Sequence, residues 1–339
     1  ITPALDTLAA EGVVLDRFYT SASICSPSRA AFMTGRHHYR SGVLAAHTSG
    51  MRTGEVTIAE ILREHGYATG FFGKWHIGWV RPDDLSSRGH YSPPWHHGFD
   101  IAFATRSAVP TWDPNLTPFD IFGHKKGEKW HPVSPYVLNG EPVTDNIEGD
   151  DSRVIMDRVI PFIENNVAED KPFAAVVWFH TPHDPVVAGP EYLAMYEPLE
   201  SEQQRHFYGS ITAMDEQIGR LRTELERLGI AEDTILFFTS DNGPSGPTTQ
   251  KGIASAGPFR GHKHTHYEGG IRVPSIVAWP GHLEPAKSDY MSGLVDYLPT
   301  LTDMLRVDAS AMLRDRPMDG ISIYPALKGE AEGERPGYL

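Results

Sequence analysis

A chain of 339 residues, 40% of them hydrophobic, can fill one large α/β domain or two small ones, and its net charge of −14 argues against nonspecific nucleic-acid binding, which needs clustered Lys and Arg. An anionic substrate would need a local basic pocket. No apolar run approaches the ~20 residues of a membrane span, and the opening Ile1-Thr2-Pro3-Ala4-Leu5-Asp6 does not have the form of a signal peptide.

In chain order, the first strong signal is a helix starting directly after Cys25. Pro27 has a φ suited to the first helical position, and Ser26 or Ser28 can cap neighbouring N–H groups. Thr57-Ile58-Ala59-Glu60 reads as a capping box for a helix with Ile58, Ile61 and Leu62 inward; Gly66 closes it before a strand over residues 67–72. Over about 79–149 the pattern dissolves into Pro, Trp, His, Asp and Gly, the mark of an irregular insertion that is functional or mobile rather than structural filler. A helix over 151–165 follows, with Val154, Ile155, Val159 and Phe162 inward and a kink expected at Pro161, then a strand over 173–179. Residues 203–228 carry Phe207, Ile211, Met214, Ile218, Leu221, Leu225 and Leu228 at alternating spacings of four and three, the clearest helix in the chain. Gly229 ends it, and strands at 234–239 and 275–279 and a helix at 297–305 complete the series. This alternation predicts an α/β sandwich with a largely parallel sheet.

Polar clusters follow three of these strands: Gly73-Lys74-Trp75-His76, then His180-Thr181-Pro182-His183-Asp184-Pro185, then Ser240-Asp241-Asn242-Gly243. Ligands of open α/β sheets bind outside the carboxyl ends of strands, so the three should meet in one crevice. Taken singly, each is weak, since Asp-Asn-Gly is commonly a turn and a loop histidine is commonly solvated. His262, His264 and His266 alternate, but on a loop they are expected to be bystanders or substrate contacts rather than a transition-metal site, and His37 and His38 read as equally ordinary. Trp95, Trp112 and Trp130 could stack on sugar rings or be buried against the domain.

Cys25 is the only cysteine, so it can form neither an internal disulfide nor a cysteine-cluster zinc site. At the positive end of a helix it occupies a place that favours an oxyanion or a bound sulfate, and Arg29, about one turn on, adds a permanent cation. The string Cys25-Ser26-Pro27-Ser28-Arg29 running into Ala30-Ala31-Phe32-Met33-Thr34-Gly35-Arg36 resembles the signature of the formylglycine-dependent sulfatases of the alkaline phosphatase superfamily. The resemblance covers nearly the whole chain. It implies that a maturation enzyme oxidises Cys25 to C-formylglycine, whose hydrate is the nucleophile. By the same resemblance Lys74 and His76 contact the sulfate and the formylglycine hydroxyl, His183 contacts the sulfate ester, and Arg29 adds its charge. Asp241 and Asn242, with residue 25, complete a calcium site, and Lys263, in the run from Phe259 to Pro274, binds sulfate.

The late motif and the aromatic, histidine-rich insertion look more like those of polysaccharide-acting sulfatases, which implies a sulfated carbohydrate substrate and a periplasmic or secreted location. Two other readings stay open: a phosphonate or phosphate monoester hydrolase of the same superfamily, and a non-catalytic glycan-binding relative. The family usually opens with a strand carrying an Asp-Asp pair and closes with a small C-terminal subdomain. The implied fold is therefore an alkaline-phosphatase-like three-layer sandwich with a mostly parallel central sheet, here expected to lack both.

Overall fold

The strands that precede the three polar clusters all form, in two separate sheets. The computed structural model describes residues 1–47, 50–81, 91–121, 123–331 and 333–336. Its larger sheet runs Glu141–Pro142, Tyr136–Leu138, Ile101–Thr105, Ala68–Lys74, Phe173–Trp178. The last three strands are parallel, with Gly73 level with both Ala104 and Trp178, and the first two add on antiparallel. The smaller sheet runs Ala286–Ser288, Val13–Leu15, Ser275–Ala278, Leu236–Thr239, with one parallel and two antiparallel pairings. Where one largely parallel sheet was expected, the described residues make these two mixed sheets and a two-stranded parallel pair, Phe18–Tyr19 with Ser292–Gly293.

Three strands lie inside the stretch expected to be irregular, part of which, residues 82–90 and 122, lies outside the described residues. The run Ile101-Ala102-Phe103-Ala104 is too short to stand out between Gly98 and the polar residues that follow. It becomes a strand because Ala68–Lys74 offers it an edge, and Ala102, Phe103 and Ala104 are fully buried there.

Side-chain alternation gives the larger sheet two covered faces. Phe71, Ala102, Ala104 and Val137 pack against the helices Cys25–Thr34 and Ile58–Glu64, while Phe72, Phe103 and Tyr136 pack against the helix Asp151–Ala168. The capping box forms as read: Thr57 N–H donates to Glu60 Oε2 at 2.9 Å and Glu60 N–H to Thr57 Oγ1 at 3.2 Å. Val154, Ile155, Val159 and Phe162 are buried, and their helix continues through Pro161. The long helix spans Glu202–Arg227, and Gly229 behind it has φ +72°.

Among the described residues the two sheets share no strand pairing. Phe173–Trp178 and Leu236–Thr239 are the facing edges, and every residue of both is only partly buried, whereas all seven residues of Ala68–Lys74 are buried. Between the edges lies a cavity of about 1670 Å³, lined by both strands and by Val159, Phe207, Ile211 and Leu221, and reaching Lys74 and Asp241.

Candidate active site

Cys25 is the first residue of its ten-residue helix, after an extended Ile24, so Pro27 is the third helical residue and not the first. Neither serine caps. Ser26 Oγ donates to the His76 carbonyl at 2.5 Å and Ser28 Oγ to the Ala22 carbonyl at 2.8 Å, so both fasten the helix to its surroundings. With no side-chain cap, the positive end of the helix stays open beside Cys25. Cys25 is 2% exposed. Lys263 Nζ lies 3.2 Å from Cys25 Sγ and Lys74 Nζ 3.7 Å.

Lys74 arrives at the end of the central strand because Gly73 lets the chain pass Trp178: Gly73 has φ +104°, and a Cβ there would come within 2.1 Å of the Trp178 carbonyl oxygen. Burial pushes the Lys74 ammonium down to about 8; Arg29 and Lys263 push the same way, while Cys25 and Asp241 oppose. Trp75 N–H donates to Thr105 O and His76 N–H to Arg106 O, which holds His76 at φ +60°, an unusual backbone conformation for a side-chain-bearing residue. Burial first, then Lys74, His47 and Arg29, hold His76 well below the ordinary histidine range.

The opposite wall is built on two glycine motifs. Gly243 N–H donates to the Gly270 carbonyl at 2.9 Å, and a Cβ on Gly243 would come within 2.0 Å of Gly269 O. This close approach brings Asp241 and Asn242 beside the loop of Lys263. That loop is held by Lys263 N–H to Pro244 O and His264 N–H to Ser23 O, each at 2.8 Å.

Arg29 is committed to the frame. Its Nε and Nη2 lie 2.8 and 2.7 Å from Asp241 Oδ2, its Nη1 donates to the Lys74 carbonyl at 2.7 Å, and the guanidinium sits over Trp178. Burial alone would raise the Asp241 carboxyl, but Arg29, Lys74 and Lys263 together hold it well below the usual carboxylate range. Asn242 Nδ2 donates to Gly243 O, while its Oδ1 is buried without a hydrogen-bond partner. An ionised carboxylate beside an orphaned amide oxygen is the donor chemistry of a hard cation. Among the described residues, no group of three His, Cys, Asp or Glu could hold a metal alone.

His183 faces the Asp184 carbonyl through Nδ1 at 2.8 Å, which makes Nδ1 the donor and leaves Nε2 bare. Burial, Lys74 and Lys263 push its pKa down to about 2, so the ring is neutral.

The sequence agrees with this geometry beyond the local motifs, because residues 1–307 match the sulfatase family. The chain belongs to the sulfatase family. Arylsulfatase A of Homo sapiens is 33% identical over 346 residues, covering 98% of this chain and 64% of that protein. N-acetylgalactosamine-6-sulfatase of Canis lupus familiaris is 29% identical over 354 residues, covering 99% of this chain and 63% of that protein. The chain thus spans less than two thirds of the length of either relative. Among solved structures, Ps i-CgsB in complex with k-i-k-neocarrahexaose superposes with a TM-score of 0.81 at 24% identity, over 97% of this chain and 71% of that one, and so shares the fold.

The fold brings Cys25, Arg29, Lys74, Asp241 and Lys263 into direct or near contact, with His183 close enough for both lysines to depress it. Of the alternating histidines, His262 Nδ1 lies against Lys263 O, His264 is exposed and lines the cavity that reaches Lys74 and Asp241, and His266 is exposed. His37 and His38 stack on each other. Trp112 packs with Ala188 and Tyr192, Trp95 packs against the core, and Trp130 stacks on His124.

Two features of the site carry no signal in the sequence. One is a buried chain in which Tyr136 OH donates to Asp151 Oδ1 at 2.5 Å, Asp151 Oδ2 meets His180 Nδ1 at 2.7 Å, and His180 Nε2 meets Thr105 Oγ1 at 2.7 Å. Thr105 O receives Trp75 N–H and His180 O receives His183 N–H, so this chain ties the two histidine-bearing loops together. The other is His47, whose ring meets that of His76. Nothing in Ala45-Ala46-His47 marks it by pattern.

Proposed function

We propose that this sulfatase-family chain hydrolyses sulfate monoesters on a sulfated carbohydrate through residue 25. The observation that carries the reading is the convergence of two lysine ammonium groups, 3.2 and 3.7 Å from Cys25 Sγ, at the open positive end of a helix. A sulfate monoester keeps its charge on peripheral oxygens, so a catalyst must orient it and neutralise those oxygens.

Oxidised to C-formylglycine and hydrated, residue 25 would supply two hydroxyls on one carbon, one to attack sulfur and the other to let sulfate leave. Asp241 and Asn242 would hold calcium, whose charge would favour the ionised form of the attacking hydroxyl. Lys74 binds sulfate oxygens from the central strand. Lys263 binds them from the facing loop and is near enough to carry a proton to the leaving alcohol. His183 offers a bare Nε2 and would gain a proton only when the substrate's negative charge offsets the two lysines. His76 accepts a proton from a hydroxyl of residue 25.

A calcium ion takes six to eight oxygens. Asp241, Asn242 and residue 25 leave that shell short. We read the cavity between the two unpaired strand edges as the seat of one more strand that would join the sheets and bring further carboxylates, as the sulfatase resemblance implies. Support for a carbohydrate substrate comes from the hexasaccharide-bound Ps i-CgsB, which shares the fold.

When the chain is made together with a formylglycine-generating enzyme, peptide mass analysis should find an aldehyde at residue 25, and the full-length protein should release sulfate from at least one member of a panel of defined sulfated oligosaccharides. A thiol at residue 25, with the maturation enzyme active on another sulfatase, would remove the nucleophile. An intact aldehyde with no sulfate released from any ester would overturn the reading itself.

A further inference from the structure

His76 has a difficulty as a base. It is 7% exposed, its Nδ1 is buried without a partner, and Lys74, Arg29, His183 and His47 all face it. A second positive charge in that position is disfavoured on every side, so the ring cannot readily keep a proton that it takes. The structure supplies an exit. His47 Nε2 lies 3.1 Å from His76 Nε2, with the rings at 61° and their centroids 4.3 Å apart. Two ring nitrogens at that distance share one proton, one donating and the other accepting. His47 is itself exposed, so the pair links a buried ring to solvent. Both histidines have left-handed backbones, φ +61° at His47 and φ +60° at His76, a conformation that persists in side-chain-bearing residues only where the surroundings impose it.

We propose that His47 is a proton relay for His76. His76 takes a proton at Nδ1 from a hydroxyl of residue 25 while its Nε2 proton passes to Nε2 of His47, and His47 releases its Nδ1 proton to water. One proton leaves the hydroxyl and one reaches solvent, and His76 only exchanges tautomers without ever becoming a cation. The inference rests on the sulfatase reading, because it needs a reacting hydroxyl at residue 25.

His47→Gln is the sharp test in the full-length, formylglycine-bearing protein. Gln can keep a hydrogen bond to His76 but cannot pass a proton through itself. It should lower kcat by about 10–10²-fold, within the range of general-base effects, and leave KM nearly unchanged. His47→Ala should lose a similar factor and recover with added imidazole. The pH profile adds a second readout. His47 faces Arg106, Lys74, Lys263 and the His76 ring, and partial desolvation, followed by the charges of Arg106, Lys74 and Lys263, holds its pKa below the ordinary histidine value. Since the relay needs neutral His47, wild-type kcat should fall as pH drops through that pKa, and the limb should move or vanish in His47→Gln. Independently of turnover, ¹⁵N-histidine NMR should find His47 and His76 in opposite states at Nε2, with the His76 tautomer shifting in His47→Ala. An active wild type with His47→Gln at full kcat, or His76 nitrogen shifts untouched by His47→Ala, overturns the relay. A formylglycine-bearing wild type inactive on every sulfate ester overturns the sulfatase reading instead.

Discussion

The two walls of the site are made of the same kind of element and are supported very differently. Lys74 and His76 leave a strand that is paired on both sides and buried at all seven positions. Asp241 and Asn242 leave a four-residue strand paired on one side and open to the cavity on the other, and His183 follows a second such edge. The first wall is set mainly by sheet packing, with Arg29 and Ser26 donating to the Lys74 and His76 carbonyls beyond the strand. The second depends on ties outside the sheet: the Arg29 side chain to Asp241, and the backbone approach of Gly243 to Gly270 beside the loop that carries Lys263. Chemistry placed at strand ends is therefore only as fixed as the neighbours of the strand, and the two walls should respond differently to mutation.

The largest difference should come from Lys263. If it protonates the leaving alcohol, Lys263→Ala should lower kcat/KM on a sulfated glycan by about 10²–10⁴-fold and on an activated aryl sulfate far less, since a phenolate departs with little protonation. His183→Ala should follow the same pattern more weakly, because its ring is neutral until substrate binds. Equal losses on both substrates would leave the two residues as sulfate binders only.

Lys74 should not discriminate. Charge on the sulfate oxygens must be neutralised whatever leaves, so Lys74→Ala should cost about 10²–10³-fold on both substrates. The pH dependence has a definite sign. Burial has lowered the Lys74 pKa to about 8, and the ammonium is the useful form, so kcat/KM should fall as pH rises through that value. A profile flat to well above that point in wild type would show that Lys74 keeps its charge or is not needed.

These walls were also unequally legible. The motifs around Cys25, Lys74, His183, Asp241 and Lys263 could be read because each combines an unusual residue with a glycine or proline that the backbone requires, as Gly73 and Gly243 show. The long helices were legible from periodicity and one capping box. The strand Ile101–Thr105 was not, because it is short and owes its form to the edge beside it. Arg29 could be placed near the site, but its commitment to Asp241 and the Lys74 carbonyl depends on contacts 212 and 45 residues away in sequence. The same holds for His47 and His76, which only the folded loops bring together.

Core packing offers a direct measure of the contrast between the sheets. Ile61 is fully buried against the larger sheet, while Ile211 is partly buried and borders the cavity. Ile61→Ala should therefore destabilise by about 2–5 kcal/mol in chemical denaturation. Ile211→Ala removes contacts that are already incomplete and should cost roughly 1 kcal/mol or less. Comparable losses would mean that the cavity edge is packed as tightly as the covered face.

The smallest effect concerns Asp150, which starts the helix packed on the larger sheet. Its Oδ1 accepts the Arg153 N–H at 2.9 Å as an N-cap, but its Oδ2 is buried with no hydrogen-bond partner. Burial, aided by neighbouring Asp151 and opposed by the Arg153 and Ser152 amides, pushes the carboxyl up to about 7. A carboxyl raised above its unfolded value of ~3.9 binds more protons in the folded state across that interval, so stability must fall as pH rises from ~4 to ~7. Asp150→Asn keeps an acceptor for the cap and removes the charge. At pH ~8, where the wild type carries the full cost of an unpaired buried carboxylate, the substitution should raise stability by roughly 1–3 kcal/mol. The difference should shrink as pH falls and vanish near pH ~3.5, below both values, where the carboxyl is protonated in the folded and the unfolded chain alike. Thermal or urea unfolding at both pH values checks this, and an equal loss of stability at each would show that the cap needs the carboxylate and that Asp150 titrates normally.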